Sequence, residues 1–155
     1  MTAGVLQTAR VATADPLSVL FDLYLADAAA GTLLAPVMAP SGMTATQYAE
    51  YSLLRTQGPM SVSQFAAAAH VPLTTASDTL RALESRGHAA RTRDPHDGRA
   101  WLVSLTADGR AAHTRARKHF RAASARVREI LGDDEPAVRR ALQQLAAACT
   151  EAATT

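Results

Sequence analysis

The stretch from Ser61 to Thr106 constrains the fold most, because start, turn and stop signals follow one another within it. Ser61 and Gln64 have the spacing of a capping box, which marks the beginning of a helix. Pro72 disfavours helical geometry at the residue before it, so this first helix is short. A second helix follows, and Gly87 suits its left-handed end. Its apolar residues recur at helical spacing: Ala76, Leu80 and Leu83.

A β-hairpin with a basic tip is predicted after the second helix. Arg91 and Arg93 precede the run Asp94-Pro-His-Asp-Gly98, whose residue types favour a turn. The residues after the turn favour β-structure, with Trp101, Val103 and Leu105 on one side. Two short helices joined by a turn and followed by such a hairpin make a winged helix.

The polar face of the second helix is the candidate for reading DNA sequence. In a helix-turn-helix, the second helix presents side chains near its N-terminus to base edges in the major groove. Asp78 could accept a bond from cytosine, orient Arg81, or weaken binding. An ordinary amphipathic helix with a solvated face is the alternative. The candidate residues are Thr74, Thr75, Ser77, Asp78 and Arg81.

The hairpin and the first helix supply further candidate DNA contacts. Arg99 lies at the base of the tip, where its side chain could enter a narrow minor groove. Asp97 could hold that guanidinium by a charge-assisted bond, or the two could form an ordinary surface salt bridge. Arg93 belongs to the same basic hairpin and is a further candidate DNA contact. Ser61 and Ser63 are expected to bind phosphate at the start of the first helix.

Basic charge is confined to one part of the chain. The net charge is only +2, but residues 81–128 carry 12 basic and 4 acidic side chains. Residues 1–80 carry 2 basic and 5 acidic side chains, and residues 129–155 have the same counts. A localised basic region is typical of a phosphate-binding face.

Four motifs together resemble the MarR family of bacterial winged-helix regulators, over roughly residues 17 to 150. They are Thr44-Ala-Thr-Gln47, Leu83-Glu-Ser-Arg-Gly87, Asp94-Pro-His-Asp-Gly-Arg99 and Leu105-Thr-Ala-Asp-Gly-Arg110. The resemblance implies a mainly α (α+β) fold with one domain over 15–155, and the composition of residues 1–14 favours a flexible arm or a segment that docks on a partner subunit. The winged helix would span about 44–106, and dimerisation helices about 16–39 and 107–153.

A long helix beginning after Thr106 indicates a second copy of the chain. It runs to about Leu131, and about 25 residues at 1.5 Å each give about 38 Å, more than the core of a small domain. In the resembled family the first and last helices form the dimer interface. A two-fold dimer would present two recognition helices, so we expect a pseudo-palindromic site with half-sites about one DNA turn apart.

The resemblance also implies that a small aromatic or phenolic effector binds between the dimer helices and the winged helix. Glu50 lies where the family usually has an apolar residue, so it is either a polar group of the cleft or a solvated charge. The aromatic candidates could equally be core residues. The candidate lining is Phe21, Tyr24, Tyr48, Glu50, Tyr51 and Phe120.

Catalytic, metal and membrane functions are not expected. His113 and His119 are six residues apart, unlike the i, i+4 pair of a metal-binding helix. Cys149 is the only cysteine, so no disulfide can form within the chain, and a structural role is expected for it. No stretch is expected to approach the roughly 20 apolar residues of a membrane span, and no signal peptide is recognised. We therefore expect no cofactor and a cytoplasmic location.

The sequence thus predicts a DNA-binding transcriptional regulator, specifically a homodimeric repressor that a small ligand releases from a pseudo-palindromic operator on double-stranded DNA. The alternative is a winged-helix module that binds proteins and has lost specific DNA binding, as Asp78 could suggest. An enzyme is a third hypothesis, without a catalytic constellation to support it.

Overall fold

The computed structural model describes residues 18–154 and has six helices and a two-stranded sheet in that range. The expected start of the first helix at about residue 16 and the arm at 1–14 lie outside the described residues. A short 3₁₀ turn follows the first helix and another precedes the last. In chain order the elements are α1 (Ser18–Met38), α2 (Ala45–Gln57), α3 (Val62–Ala69), α4 (Leu73–Ser85), β1 (Ala89–Arg93), β2 (Trp101–Leu105), α5 (Ala107–Leu131) and α6 (Glu135–Ala152).

Helix ends follow the local signals in the sequence. Thr44 and Ser61 each cap a helix in a complete capping box: each hydroxyl oxygen accepts the N–H three residues on, and that residue's glutamine side chain accepts the cap N–H. Gly87 has a φ of 71° after α4, where the Gly87 and His88 N–H groups bond back to α4 carbonyls. These bonds satisfy groups that a helix end leaves unpaired.

The hairpin pairs β1 with β2 in antiparallel register, from Ala89 opposite Leu105 to Arg93 opposite Trp101. Met60 adds a bridge that was not expected: its N–H and C=O both bond to Val103, at 3.1 and 2.8 Å. This bridge ties the hairpin to the residue just before α3. The small sheet among helices confirms the mainly α winged-helix fold.

One core joins the winged helix to the helices around it. Its largest fully buried side chains come from five different elements or turns: Tyr51, Phe65, Met38, Leu80 and Val103. Burial of this apolar surface fixes α2, α3, α4 and the hairpin relative to one another.

Apolar surface extends beyond this core on the terminal helices, which are α1, α5 and α6. The stretch Val19–Ser41 is by length and composition able to cross a membrane, so the expectation that no segment approaches that length is wrong. Asp22 and Asp27 interrupt the run, which is why it does not stand out as one apolar segment. Core helices of soluble proteins can have the same length and composition, so one such helix is weak evidence for a membrane span.

Candidate nucleic-acid interface and ligand cleft

The turn between α3 and α4 depends on an unusual backbone conformation at His70. Its φ of 53° makes it the only non-glycine residue with positive φ in the described range. Its N–H bonds back to Ala67, and the Val71 N–H bonds to Ala66. Histidine tolerates this left-handed region better than most residues, so α3 ends within one residue and α4 starts after Pro72.

The recognition candidates on α4 do share one solvent-facing surface. Thr74, Thr75, Asp78 and Arg81 are exposed, and Ser77 is half-buried. The Arg81 guanidinium is held on the helix, because Nη2 donates to Ser77 Oγ at 3.0 Å and lies 3.3 Å from Asp78 Oδ1. This contact is compatible with one of the three roles weighed for Asp78, the orientation of Arg81.

The start of α3 leaves donors available to a phosphate. Ser61 Oγ accepts the Gln64 N–H at 3.2 Å, and its own O–H remains free to donate. Ser63 is exposed two residues on, in the first turn of α3. A helix N-terminus with nearby hydroxyls favours an anion.

Arg93 holds the wing tip together. Its guanidinium lies 4.2 Å from the centre of the Trp101 ring. One nitrogen, Nη1, donates to the carbonyls of Gly98 at 3.1 Å and Arg99 at 3.4 Å. Arg93 therefore stabilises the tip, and its side chain remains exposed to solvent.

The expected bond from Asp97 to the Arg99 guanidinium is not formed. Asp97 Oδ1 instead accepts the Arg99 backbone N–H at 3.0 Å, since a side chain two residues earlier reaches the backbone in an Asx-type turn. Asp94 accepts the His96 N–H in the same way, at 2.8 Å. Within residues 18–154 nothing bonds to the Arg99 guanidinium, so that charge is exposed on an ordered tip.

A second ion pair joins the wing to the recognition helix. Arg91 Nε on β1 lies 2.6 Å from Glu84 Oε1 on α4. Both side chains are partly buried, so the pair is less screened by solvent than an exposed one. The hairpin and α4 are thereby held as one surface.

A cleft of about 550 Å³ lies between α2, α3, α4 and α5. Three of the six expected ligand residues line it: Tyr48, Glu50 and Phe120. The rings of Tyr48 and Phe120 stack with centres 4.6 Å apart. Most other lining side chains are apolar, including Leu53, Phe65 and Val71.

The other three ligand candidates lie elsewhere. Tyr51 is fully buried in the core, where its hydroxyl bonds to His88 Nδ1 at 2.7 Å. This bond also gives the His88 ring a hydrogen-bond partner. Phe21 and Tyr24 are exposed on α1 and do not line the cleft.

His113 is a buried residue beside the cleft that the sequence interpretation considered only as a metal ligand. Its ring stacks on Tyr48 with centres 5.0 Å apart, and Nε2 lies 3.1 Å from Ser52 Oγ. Burial lowers the pKa of His113, and the charges of Arg55 and Arg117 lower it further. Among the described residues, no group of three histidine, cysteine or acidic side chains could hold a metal ion.

Comparison with known proteins agrees with this architecture. Residues 43–101 match the model of the MarR family. No curated protein sequence matches significantly. The chain is 28% identical to a probable transcriptional regulator from Pseudomonas aeruginosa, covering 83% of this chain and 96% of that one, with a TM-score of 0.71.

Two similar structures contain DNA. The M. tuberculosis transcriptional regulator MosR, in complex with DNA, is 28% identical, with 86% of this chain and 97% of that one covered and a TM-score of 0.73. The transcriptional repressor CouR, bound to a 23-mer DNA duplex, is 28% identical, with 85% and 92% covered and a TM-score of 0.71. Its winged helix, the match of residues 43–101 to the MarR family model and these structural similarities make the chain similar to transcriptional regulators of the MarR family.

Proposed function

We propose that this protein is a homodimeric, ligand-responsive repressor that binds a pseudo-palindromic operator in double-stranded DNA. The observation that carries the proposal is the exposed face of α4 together with a wing that the Arg91–Glu84 ion pair joins to that helix. Arg81 is oriented toward the recognition face and the Arg99 guanidinium is unpaired. The similarity to MosR and CouR, both solved with DNA, supports this proposal.

The residues have distinct roles in this proposal. Side chains on α4 contact base edges in the major groove, and Arg99 enters the minor groove beside the wing. Ser61 and Ser63 contact phosphate, which positions the protein without reading sequence. Arg93 and Asp97 hold the wing tip in shape through their bonds to its backbone. The base contacts on α4 are Thr74, Thr75, Ser77 and Arg81, with Asp78 holding Arg81 in place.

A second copy is proposed to cover the apolar side chains of the terminal helices, which a single chain leaves exposed. Such faces usually mark an interface, and a two-fold dimer places two recognition helices on successive turns of DNA. The cleft beside Tyr48 would receive the effector. Such a regulator acts on DNA in the cytoplasm and needs no catalytic group.

The test is fluorescence anisotropy on a pool of fragments from the genome that encodes the protein, titrated with salt. We expect tight binding to a few fragments and a steep fall in affinity as salt rises. Arg99→Ala should weaken that binding by about 1–3 kcal/mol. Arg140→Ala, an exposed arginine on α6 outside the DNA surface, should leave it unchanged.

Uniformly weak binding to all fragments would contradict the repressor proposal. It would favour a winged-helix module that binds proteins, an alternative supported by the pairing of Asp78 with Arg81 on the recognition face. Equal binding by Arg99→Ala and wild type would remove the wing from the DNA interface.

A further inference from the structure

The cleft beside α2 has a single charged group in an otherwise uncharged lining. Among its twelve lining residues only Glu50 carries a charge, and most of the remainder are apolar or aromatic. A cleft of about 550 Å³ with few polar groups is suited to a small organic ligand. The charge of Glu50 therefore decides which ligands the cleft favours.

Glu50 is poorly compensated in the free protein. Its Oε1 accepts only a long bond from Thr79 Oγ1, at 3.4 Å. Desolvation raises the pKa of its carboxyl, while the Thr79 bond and the charge of Arg86 lower it. The ion pairs within residues 18–154 are Arg81–Asp78 and Arg91–Glu84, so Glu50 is not in direct contact with a cation.

The aromatic walls of the cleft add to the preference for positive charge. Tyr48 and Phe120, whose rings stack on each other, line the same cleft as Glu50. Aromatic faces carry negative electrostatic potential and attract cations. An anionic ligand would instead meet both this potential and the Glu50 carboxylate.

We propose that the cleft binds a small aromatic amine in its cationic form, with the ammonium paired to Glu50 and the ring packed against Tyr48 and Phe120. This proposal specifies the class of ligand for the proposed repressor. It rests on the proposed function only for the effect of the ligand on DNA binding. The resembled family commonly binds aromatic acids or phenols, and Glu50 is the departure that reverses the preferred charge.

The test uses three probes that share one ring system and differ in charge: tryptamine, tryptophol and indole-3-acetate. Isothermal titration calorimetry at pH 7 measures each with wild type, Glu50→Gln and Glu129→Gln. Glu129 is an exposed glutamate on α5 outside the cleft, so it controls for the chemical change alone. Wild type and Glu129→Gln should bind tryptamine at least about tenfold more tightly than tryptophol, and indole-3-acetate most weakly.

Glu50→Gln should lose the preference for tryptamine and gain affinity for indole-3-acetate. Unchanged selectivity in Glu50→Gln, a wild-type preference for the acid, or no binding of tryptamine at millimolar concentration would each overturn the proposal. If Glu50→Gln does not fold, the relative affinities of the three probes for the wild type test the proposal. These titrations contain no DNA, so their outcome is independent of the operator-binding experiment.

Discussion

Gly109 shows how closely the wing and the long helix approach each other. It lies in the first turn of α5, where its N–H donates to the Thr106 cap at 3.1 Å. A Cβ at this position would overlap the backbone carbonyl of His88. That carbonyl also accepts the Thr106 N–H at 3.0 Å, so it cannot move aside without breaking a bond between the two segments.

We predict that Gly109→Ala lowers the free energy of unfolding by about 1–3 kcal/mol, because the overlap is with backbone. In an open helix the same change would raise stability by up to about 1 kcal/mol. Gly31 in α1 provides that case, since a Cβ added there would meet nothing within 4 Å. Guanidinium unfolding followed by circular dichroism measures both, and a stabilising effect at Gly109 would rule out the close approach.

His113 should make stability depend on pH. It is 5% exposed and its Nδ1 has no partner among the described residues. Its folded pKa lies below the ordinary 6.5, so below pH 6.5 the unfolded state binds more protons and folding weakens. The loss continues as pH falls through the folded pKa, at no more than about 1.4 kcal/mol per pH unit.

Replacing the titrating ring checks this origin of the acid sensitivity. Urea unfolding between pH 7.5 and 5 should show a shallower loss of stability in His113→Gln than in wild type. The change of slope is the readout, since loss of the stacking on Tyr48 lowers stability at every pH. Parallel curves for the two proteins would mean that His113 does not carry the effect.

At the scale of elements, the wing is predicted to depend on the shape of the Arg93 side chain more than on its charge. Arg93→Lys keeps the charge but loses the planar fork that stacks on Trp101 and bonds to two carbonyls. Trp101 is the only tryptophan, so its fluorescence reports on the wing directly. We expect stronger acrylamide quenching in Arg93→Lys and several-fold weaker DNA binding.

Arg91→Lys is the matched control for this experiment. It makes the same change on the same strand, but Arg91 pairs with Glu84 on α4 and not with Trp101. Its tryptophan quenching should match wild type. Equal quenching in all three proteins would show that Arg93 does not organise the tip.

The elements themselves are largely predictable because their ends are marked by local chemistry. The capping boxes at Thr44 and Ser61 and the glycine after α4 act over three to five residues, a range that the sequence shows directly. The Met60–Val103 bridge and the Tyr51–His88 bond join residues about 40 apart in the chain. No local pattern encodes such pairings, so the sequence does not predict them.

Part of the candidate site also follows from local sequence, and the rest depends on tertiary packing. The exposed face of α4 follows from helical spacing alone, and the structure keeps it together. The contact between Arg93 and Trp101 needs the register of the hairpin, in which they are directly opposite. The cleft depends on how four helices pack, so the sequence could place Tyr48 and Phe120 in it only by resemblance. Phe21 and Tyr24, assigned in the same way, do not line the cleft of the single chain.

At the scale of the whole molecule, the terminal helices carry an apolar surface that the single chain does not bury. Phe21 on α1 is 56% exposed and Ile130 near the end of α5 is 85% exposed. Leu142 on α6 is exposed as well. Apolar side chains on three neighbouring helices form a surface of the kind that obligate dimers bury.

We predict that Phe21→Glu dissociates the proposed dimer, because a carboxylate buried at an interface without a partner is costly. Wild type should sediment at twice the 16.3 kDa mass of one chain. With the change present in both copies, the dissociation constant should rise at least about a hundredfold, corresponding to about 3 kcal/mol.

Leu73→Glu is the matched control, since Leu73 is also 56% exposed but belongs to the start of α4 and not to a terminal helix. It should remain a dimer in sedimentation equilibrium. A monomeric wild type would contradict the dimer outright, and equal dissociation of both variants would place the interface elsewhere. If only Phe21→Glu dissociates, it should also lose affinity for a two-half-site operator while keeping the weak affinity of one winged helix for a single half-site, because each copy contributes one recognition helix.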